Sequence, residues 1–309
     1  MIIQTINLTK RYGKLIALSG LHLNIEEGEC FGYIGPNGAG KTTTIRILST
    51  LLQPTWGEAK VCGFTVGYES RKIRPLIGYV PDFFGAYEDM VVQEYLEFFA
   101  AAYNIHGDQR KRVVGDVLEL TDLAYKRDSL VDGLSRGMKQ RLSVARVLLH
   151  DPKVLFLDEP ASGLDPRARI EMRELLKELR RMGKTIIISS HILHELAELC
   201  TTVGIIERGE LLFHGSLDEI VKRTRQGTRV EIKVGNRQEA AASVLEQLEP
   251  VDNVALDDGR LLVSLKTETH DFAFLALALL RAKLPLHEIR EEQVNLETAF
   301  MRFTKGIVQ

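Results

Sequence analysis

Residues 35–43 read Gly-Pro-Asn-Gly-Ala-Gly-Lys-Thr-Thr, which fits the pattern G-x-x-x-x-G-K-[ST]. That pattern suits the holding of phosphates. Glycine lets successive backbone N–H groups turn inward around an anion, and a helix beginning near Lys41 aims the positive end of its dipole at the same point. Lys41 supplies a point charge for the β- and γ-phosphates of a nucleotide, and the Thr42 hydroxyl is a ligand for Mg²⁺. Gly35, Asn37, Gly38, Ala39, Gly40, Lys41, Thr42 and Thr43 form the candidate phosphate-binding set. A second run, Val154-Leu155-Phe156-Leu157-Asp158-Glu159, is an apolar strand ending in two carboxylates. Asp158 is placed to hold Mg²⁺ through water, and Glu159 to polarise an attacking water. Alone, this run reads equally well as an ordinary strand end; the phosphate loop decides for chemistry. A third run, Leu134-Ser135-Arg136-Gly137-Met138-Lys139-Gln140, precedes a helical pattern. Ser135 suits an N-cap, and a sharper reading has Ser135 and the Gly137 amide presenting a second anion site at a helix start.

The elements that must position these groups follow from hydrophobic periodicity. Cys30–Ile34 is a short apolar strand leading into the glycine-rich loop, and a helix follows over about Lys41–Leu51. Val154–Leu157, Thr185–Ser189 and Val203–Ile206 read as buried strands. Helical patterns over Gly137–Leu149, Arg167–Arg181 and Ile192–Leu199 separate them, which predicts a mostly parallel sheet with helices on its faces. Strand-like runs at Ile2–Leu8 and Leu21–Ile25 predict a separate antiparallel sheet. The basic stretch 222–227 reads as a linker. Beyond it, Arg229–Val234, Asn253–Leu256, Leu261–Leu265 and Leu286–Glu292 read as strands. Helices at Glu239–Leu248 and His270–Ala282 fall between them. Asp258-Gly259 marks a hairpin, and the order is that of a ferredoxin-like module. A last helix is expected at about Leu296–Phe303. Two domains result, 1–221 and 228–309.

Bulk properties narrow the function. A formal net charge of -2 does not favour nucleic acid as a partner. The three cysteines, Cys30, Cys62 and Cys200, form no CxxC pair, which argues against a disulfide framework or a zinc site. Residues 1–5 lack a signal-peptide layout. The longest apolar stretch, Phe272–Leu280, is far short of the roughly 20 residues that cross a bilayer, so no direct membrane insertion is expected. That stretch is expected to be core of the second domain, with an exposed dimerisation face as the alternative. Tyr95, Phe98 and Phe99 are expected to be core. His191-Ile192-Leu193-His194-Glu195 is H-x-x-H-E, not H-E-x-x-H. It is read as an ordinary helix rather than a metal site, with His194 on its surface.

Taken together, the ordered motifs resemble those of the ATP-binding subunit of ABC (ATP-binding cassette) transporters, over roughly two-thirds of the chain. The resemblance adds Tyr12, in Lys10-Arg11-Tyr12-Gly13, as the aromatic stacking on adenine, Ser162-Gly163-Leu164-Asp165 as the D-loop, and His191 as the switch histidine. It implies an α/β fold: a P-loop NTPase core with a mostly parallel sheet, an N-terminal antiparallel β subdomain and a helical subdomain. The small α+β, ferredoxin-like C-terminal domain is additional. It implies ATP and Mg²⁺ as cofactors and a head-to-tail homodimer or heterodimer with another ABC ATPase. In that dimer, Ser135 and Gly137 of one cassette close over ATP held by Lys41 and Thr42 of the other. Glu159 would be the general base and His191 would touch the γ-phosphate. The implied partner is a membrane-spanning permease subunit of exporter type, with the chain cytoplasmic and attached to the membrane's inner face. Phe83 and Tyr87 lie where the family docks that permease.

Two positions depart from the family pattern. Asp82 stands where glutamine is usual, at a position that contacts Mg²⁺ and the reacting water, and Arg136 and Met138 stand where glycine and glutamine are commonest. A soluble cassette ATPase outside transport is the alternative function, but a single cassette with no long coiled coil does not resemble those members. Retention of Glu159 and His191 speaks against a non-enzymatic regulator. The C-terminal domain shows no catalytic set and reads as a regulatory or dimer-stabilising appendage.

Overall fold

The computed structural model describes residues 1–83, 85, 89–192, 196–224, 229–235, 237–257, 259–266 and 271–291, with backbone alone at 221–224. The expectations for Tyr87, for His194 and for a helix at Leu296–Phe303 lie outside the described residues. Two compact units separate in the chain, Met1–Leu217 and a second beginning at Asp218.

The first unit is built on a six-stranded sheet. Its strands are β3 (Cys30–Ile34), β6 (Ile77–Val80), β7 (Val154–Asp158), β8 (Thr185–Ser190), β9 (Thr202–Glu207) and β10 (Glu210–Ser216), in the order β10-β9-β3-β8-β7-β6. The pairings β9–β3, β3–β8, β8–β7 and β7–β6 are parallel. Every residue of β3, β7 and β8 is buried, which is why these strands read as unbroken apolar runs: a parallel sheet is covered on both faces. A second sheet joins β1 (Ile3–Tyr12), β2 (Leu15–Ile25), β4 (Trp56–Val61) and β5 (Phe64–Thr65), all antiparallel. Ile3, Leu21, Phe31, Ile45 and Phe156 belong to one continuous core that both sheets share with helix α1 (Lys41–Leu48).

Helices α3 (Val92–Ala102) and α4 (Gly107–Leu120) pack on each other and on α5 (Arg136–Leu148), forming the helical subdomain. A short α2 (Ser70–Ile73) precedes β6. Helix α6 (Pro166–Arg181) starts with Asp165 as N-cap and Pro166 in its first turn, both favourable there. α3 buries Val92, Tyr95, Leu96 and Ala100. The expectation that Phe98 is core is therefore corrected: it is 49% exposed at the edge of that stripe, edge-on to Phe99 at 5.3 Å.

Three further differences have local causes. β2 begins at Leu15 rather than Leu21, because β1 and β2 pair through several register shifts that break a simple alternation. β10 is an unanticipated strand, antiparallel to β9, joined by Arg208 (φ 51) and Gly209 (φ 79). Positive φ at both turn positions is what a two-residue hairpin demands, but Arg-Gly lacks the Asn or Asp that advertises it. The expected linker is in part a helix, Leu217–Thr224, so the boundary falls a few residues earlier.

The second unit alternates β11 (Arg229–Val234), a helix (Gln238–Glu246), β12 (Val251–Asp257), β13 (Arg260–Leu265), a helix (Ala273–Arg281) and β14 (Leu286–Glu291). The sheet order β12-β13-β11-β14, antiparallel throughout, is the ferredoxin-like arrangement expected from the sequence. Val230, Ile232, Leu261 and Val263 meet Ala241, Leu245, Leu275 and Leu279 from the helices in its core. The apolar helix is thus core on one side only, since Leu277 and Leu280 are exposed.

Candidate nucleotide site

The site forms where β3 and β7 end. β3 delivers the loop 35–40, and α1 begins at once. A Cβ at Gly35 would strike the Ile206 carbonyl, and one at Gly40 (φ 111) would lie 2.7 Å from the Ala17 oxygen. Glycine at both is therefore dictated by the backbone's close approach. Gly40 is also the N-cap of α1 and brings no side chain to cover the first-turn amides, which stay available for an anion. Lys41, only 6% exposed, folds back over the loop. Its Nζ donates to the carbonyls of Gly35 (2.6 Å) and Pro36 (3.3 Å) and sits 3.3 Å from Glu159 Oε1.

β7 ends with Asp158, which is buried. Its Oδ1 accepts hydrogen bonds from Thr42 Oγ1 (3.1 Å) and Ser189 Oγ (2.7 Å). A hydroxyl and a carboxylate, both hard oxygen donors facing the phosphate loop, fit Mg²⁺, which takes one or two protein oxygens and fills its remaining positions with water and substrate phosphates. Among the described residues no group of three or more His, Cys, Asp or Glu is placed to hold a metal ion.

Glu159 occupies the left-handed region at φ 51. Its N–H donates to Ser189 Oγ (2.9 Å), and its Oε2 lies 2.8 Å from His191 Nδ1. The carboxylate is thus held between Lys41 and His191. Asp82 follows β6, and burial first, then the charges of Asp158 and Glu159, push its carboxyl above the ordinary carboxylate range, against the pull of Arg136 and His191. A cleft of about 350 Å³ runs over these groups. It is lined by Tyr12, Leu15, Ala17, residues 36–43, Asp82, Asp158 and Glu159. Tyr12 is half-exposed, with Lys10 Nζ over its ring at 5.2 Å from the centroid.

Of the expected residues, Gly35, Ser135, Gly137 and His191 are not among the lining residues of this cleft; Gly35 and His191 meet it through Lys41 and Glu159. Ser135 is exposed and caps α5, its Oγ accepting from the Met138 N–H at 3.2 Å. Gly137 is buried, and a Cβ there would meet the Ala168 Cβ at 2.6 Å, so glycine lets α5 and α6 close up. The Arg136 guanidinium lies over Gly163 (φ 66), where a Cβ would approach its Cζ to 2.5 Å. The residue that sequence reasoning missed is Ser189, which touches both carboxylate positions. Its only signal is a hydroxyl at the end of an apolar strand.

The chain matches the ABC transporter family over residues 18–162. It is 32% identical to the linearmycin resistance ATP-binding protein of Bacillus subtilis, across 98% of both chains. It is 40% identical to the bacitracin transport ATP-binding protein of Bacillus licheniformis, over 80% of this chain and 79% of that one. Among solved structures it resembles a dimeric ATP-binding cassette bound to ADP and Pi, with a TM-score of 0.63 and 28% identity, covering 70% of this chain and 98% of that one. With the phosphate loop, the carboxylate strand end and these relatives in agreement, the chain belongs to the ATP-binding subunits of ABC transporters, ATPases whose hydrolysis is coupled to transport.

Proposed function

We propose that this ATPase energises a membrane-spanning exporter made as a separate polypeptide. In this reading the phosphate-loop amides and Lys41 hold the β- and γ-phosphates of ATP, and Tyr12 stacks on adenine. Thr42 and Asp158 hold Mg²⁺, which would neutralise charge on the phosphates. Glu159 takes the proton of the attacking water, while His191 orients Glu159 and reaches the γ-phosphate. Asp82 faces the same water from the β6 side. The observation that carries the reading is the chain of contacts Lys41–Glu159–His191 above the Thr42–Asp158 pair. Ser135 and Gly137, which lie outside the cleft, supply a second cassette's site in a head-to-tail dimer, either of two copies or with a related ATPase. The dimeric assembly of the solved relative supports this.

Export as the direction rests on relatives named for linearmycin resistance and Nod factor export. No described helix is long and apolar enough to cross a membrane. The permease therefore supplies the translocation path and holds the chain at the inner, cytoplasmic face. Phe83, 81% exposed directly after Asp82, is the permease contact we favour. The ferredoxin-like unit acts as a regulatory or dimer-stabilising domain.

The test is size-exclusion chromatography of Glu159→Gln with and without Mg-ATP, beside an ATPase assay of the wild type. ATP should drive the variant from monomer to dimer, while only the wild type turns over. A variant that binds ATP yet stays monomeric would sink the homodimer and leave closure to a related ATPase or the permease. Full turnover by the variant would remove Glu159 from the role of base.

A further inference from the structure

We propose that Ser189 is a positioning residue for hydrolysis: its single hydroxyl ties Asp158 Oδ1 to the backbone of Glu159. The inference rests on the roles given above to those two carboxylates and extends them to a neighbour on the next strand. β7 and β8 are parallel, with Asp158 and Ser189 as register partners. Ser189 is fully buried. The Glu159 N–H can only donate, so the Ser189 lone pair accepts it at 2.9 Å. The hydroxyl's own proton then goes to Asp158 Oδ1 at 2.7 Å. Chemistry fixes both directions, and the hydroxyl has no freedom to rotate away.

The tether matters because of what it holds. Glu159 has φ 51, a region L residues rarely adopt, and the Ser189 bond fixes the peptide that must take it. Asp158 Oδ1 is the oxygen that also receives Thr42 Oγ1, so the Ser189 proton orients the carboxylate toward the Thr42 side. Without the Oγ, a part-buried N–H loses its acceptor and the backbone at Glu159 is free to relax. Its carboxylate then drifts from the 2.8 Å contact with His191 Nδ1. The phosphate loop keeps its own geometry, since Lys41 is anchored on the Gly35 and Pro36 carbonyls.

Ser189→Ala in the full chain should lower kcat by about 10–100-fold, the usual loss when the outer partner of a ligating carboxylate is removed. KM for ATP should stay within about twofold, because uniform binding through the phosphate loop is untouched. Two readouts do not depend on turnover. Amide hydrogen exchange at Glu159 in the nucleotide-free protein should speed up by about tenfold or more. Mg²⁺ titrated against ATP-loaded Glu159→Gln/Ser189→Ala should bind more weakly than to Glu159→Gln alone. Ser189→Thr, which keeps a hydroxyl, should restore both readouts and most of kcat. Wild-type kcat with unchanged Glu159 exchange in Ser189→Ala would overturn the proposal. So would a fall in thermal midpoint with kcat intact at a temperature where both proteins are folded, since the hydroxyl would then be merely structural. Full turnover by Glu159→Gln would instead remove the base assignment, leaving the exchange result at Glu159 to be judged by itself.

Discussion

Gly137→Ala separates packing from phosphate chemistry at the start of α5. A Cβ at residue 137 would sit 2.6 Å from the Ala168 Cβ and 3.8 Å from its Cα. Carbon atoms in contact prefer about 3.5–4.0 Å, so α5 and α6 must part by about 1 Å at this crossing. Overpacking of this kind costs about 1–3 kcal/mol. Alanine returns part of that through better helix propensity, at most about 1 kcal/mol and less in a first turn. The expected net loss is about 1 kcal/mol, read as a lower urea midpoint at unchanged slope. Adding Ala168→Gly removes the offending methyl and leaves the new Cβ at an ordinary 3.8 Å from the residue 168 Cα. The double variant should then be more stable than the sum of the single changes implies. ATP-driven dimerisation of both, in the Glu159→Gln background, completes the assay. If stability recovers and dimerisation does not, the amide face of residue 137 must stay bare for a second cassette's nucleotide. Gly137→Ala as stable as wild type, with no coupling to residue 168, would refute the packing argument.

Other expectations follow from the same geometry. Asp82 is held above its ordinary pKa of 3.8, so the folded chain retains a proton that the unfolded chain releases, and its contribution to stability falls as pH rises from 3.8 through the raised value. Asp82→Asn should therefore raise the thermal midpoint at pH 7 relative to wild type, and the two should converge in acid; no convergence would contradict this. Glu159→Gln should bind ATP about fivefold tighter without Mg²⁺, because Lys41 no longer has to leave a carboxylate, a surplus of about 1 kcal/mol after desolvation; fluorescence titration checks it. Leu279→Ala, at a fully buried position of the second unit, should cost about 2–5 kcal/mol in that unit's unfolding, seen in a denaturant scan with ATPase activity followed in parallel. Phe83→Ser should leave the ATPase rate of the isolated chain unchanged and lower co-purification with the permease.

The phosphate loop was legible because its backbone demands are written in residue types. Gly35 and Gly40 stand where a Cβ would hit backbone oxygen, and no other amino-acid type fits there. The parallel strands were legible because burial on both faces leaves unbroken apolar runs. The ferredoxin-like unit was legible through alternation in Arg229–Val234 and the Asp258-Gly259 turn. Ser189 was not legible, since its role depends on register with Asp158 across two strands separated by 31 residues. Nor was the double meaning of Gly137, which needs α6 in view. Phe98 shares a helix with Tyr95 and Phe99, but only the packed α3 shows which side of each turn is covered.

Lys41 gives the site its order of events. In the structure its charge is shared between two carbonyls of the loop and Glu159 Oε1. The lysine is nearly buried and the carboxylate side chain is 15% exposed, so the pair interacts in a medium well below the dielectric of water. Phosphate groups entering the loop bring more negative charge than one carboxylate and meet the α1 amides as well, so they compete successfully for Nζ. As Lys41 turns to them, Glu159 keeps its contact with His191 and loses its cation. With the roles proposed above, nucleotide binding both fills the cradle and frees the carboxylate assigned to accept the proton of water. In the empty site the same carboxylate is occupied as the lysine's partner, and the left-handed turn at Glu159 keeps it within reach of both roles.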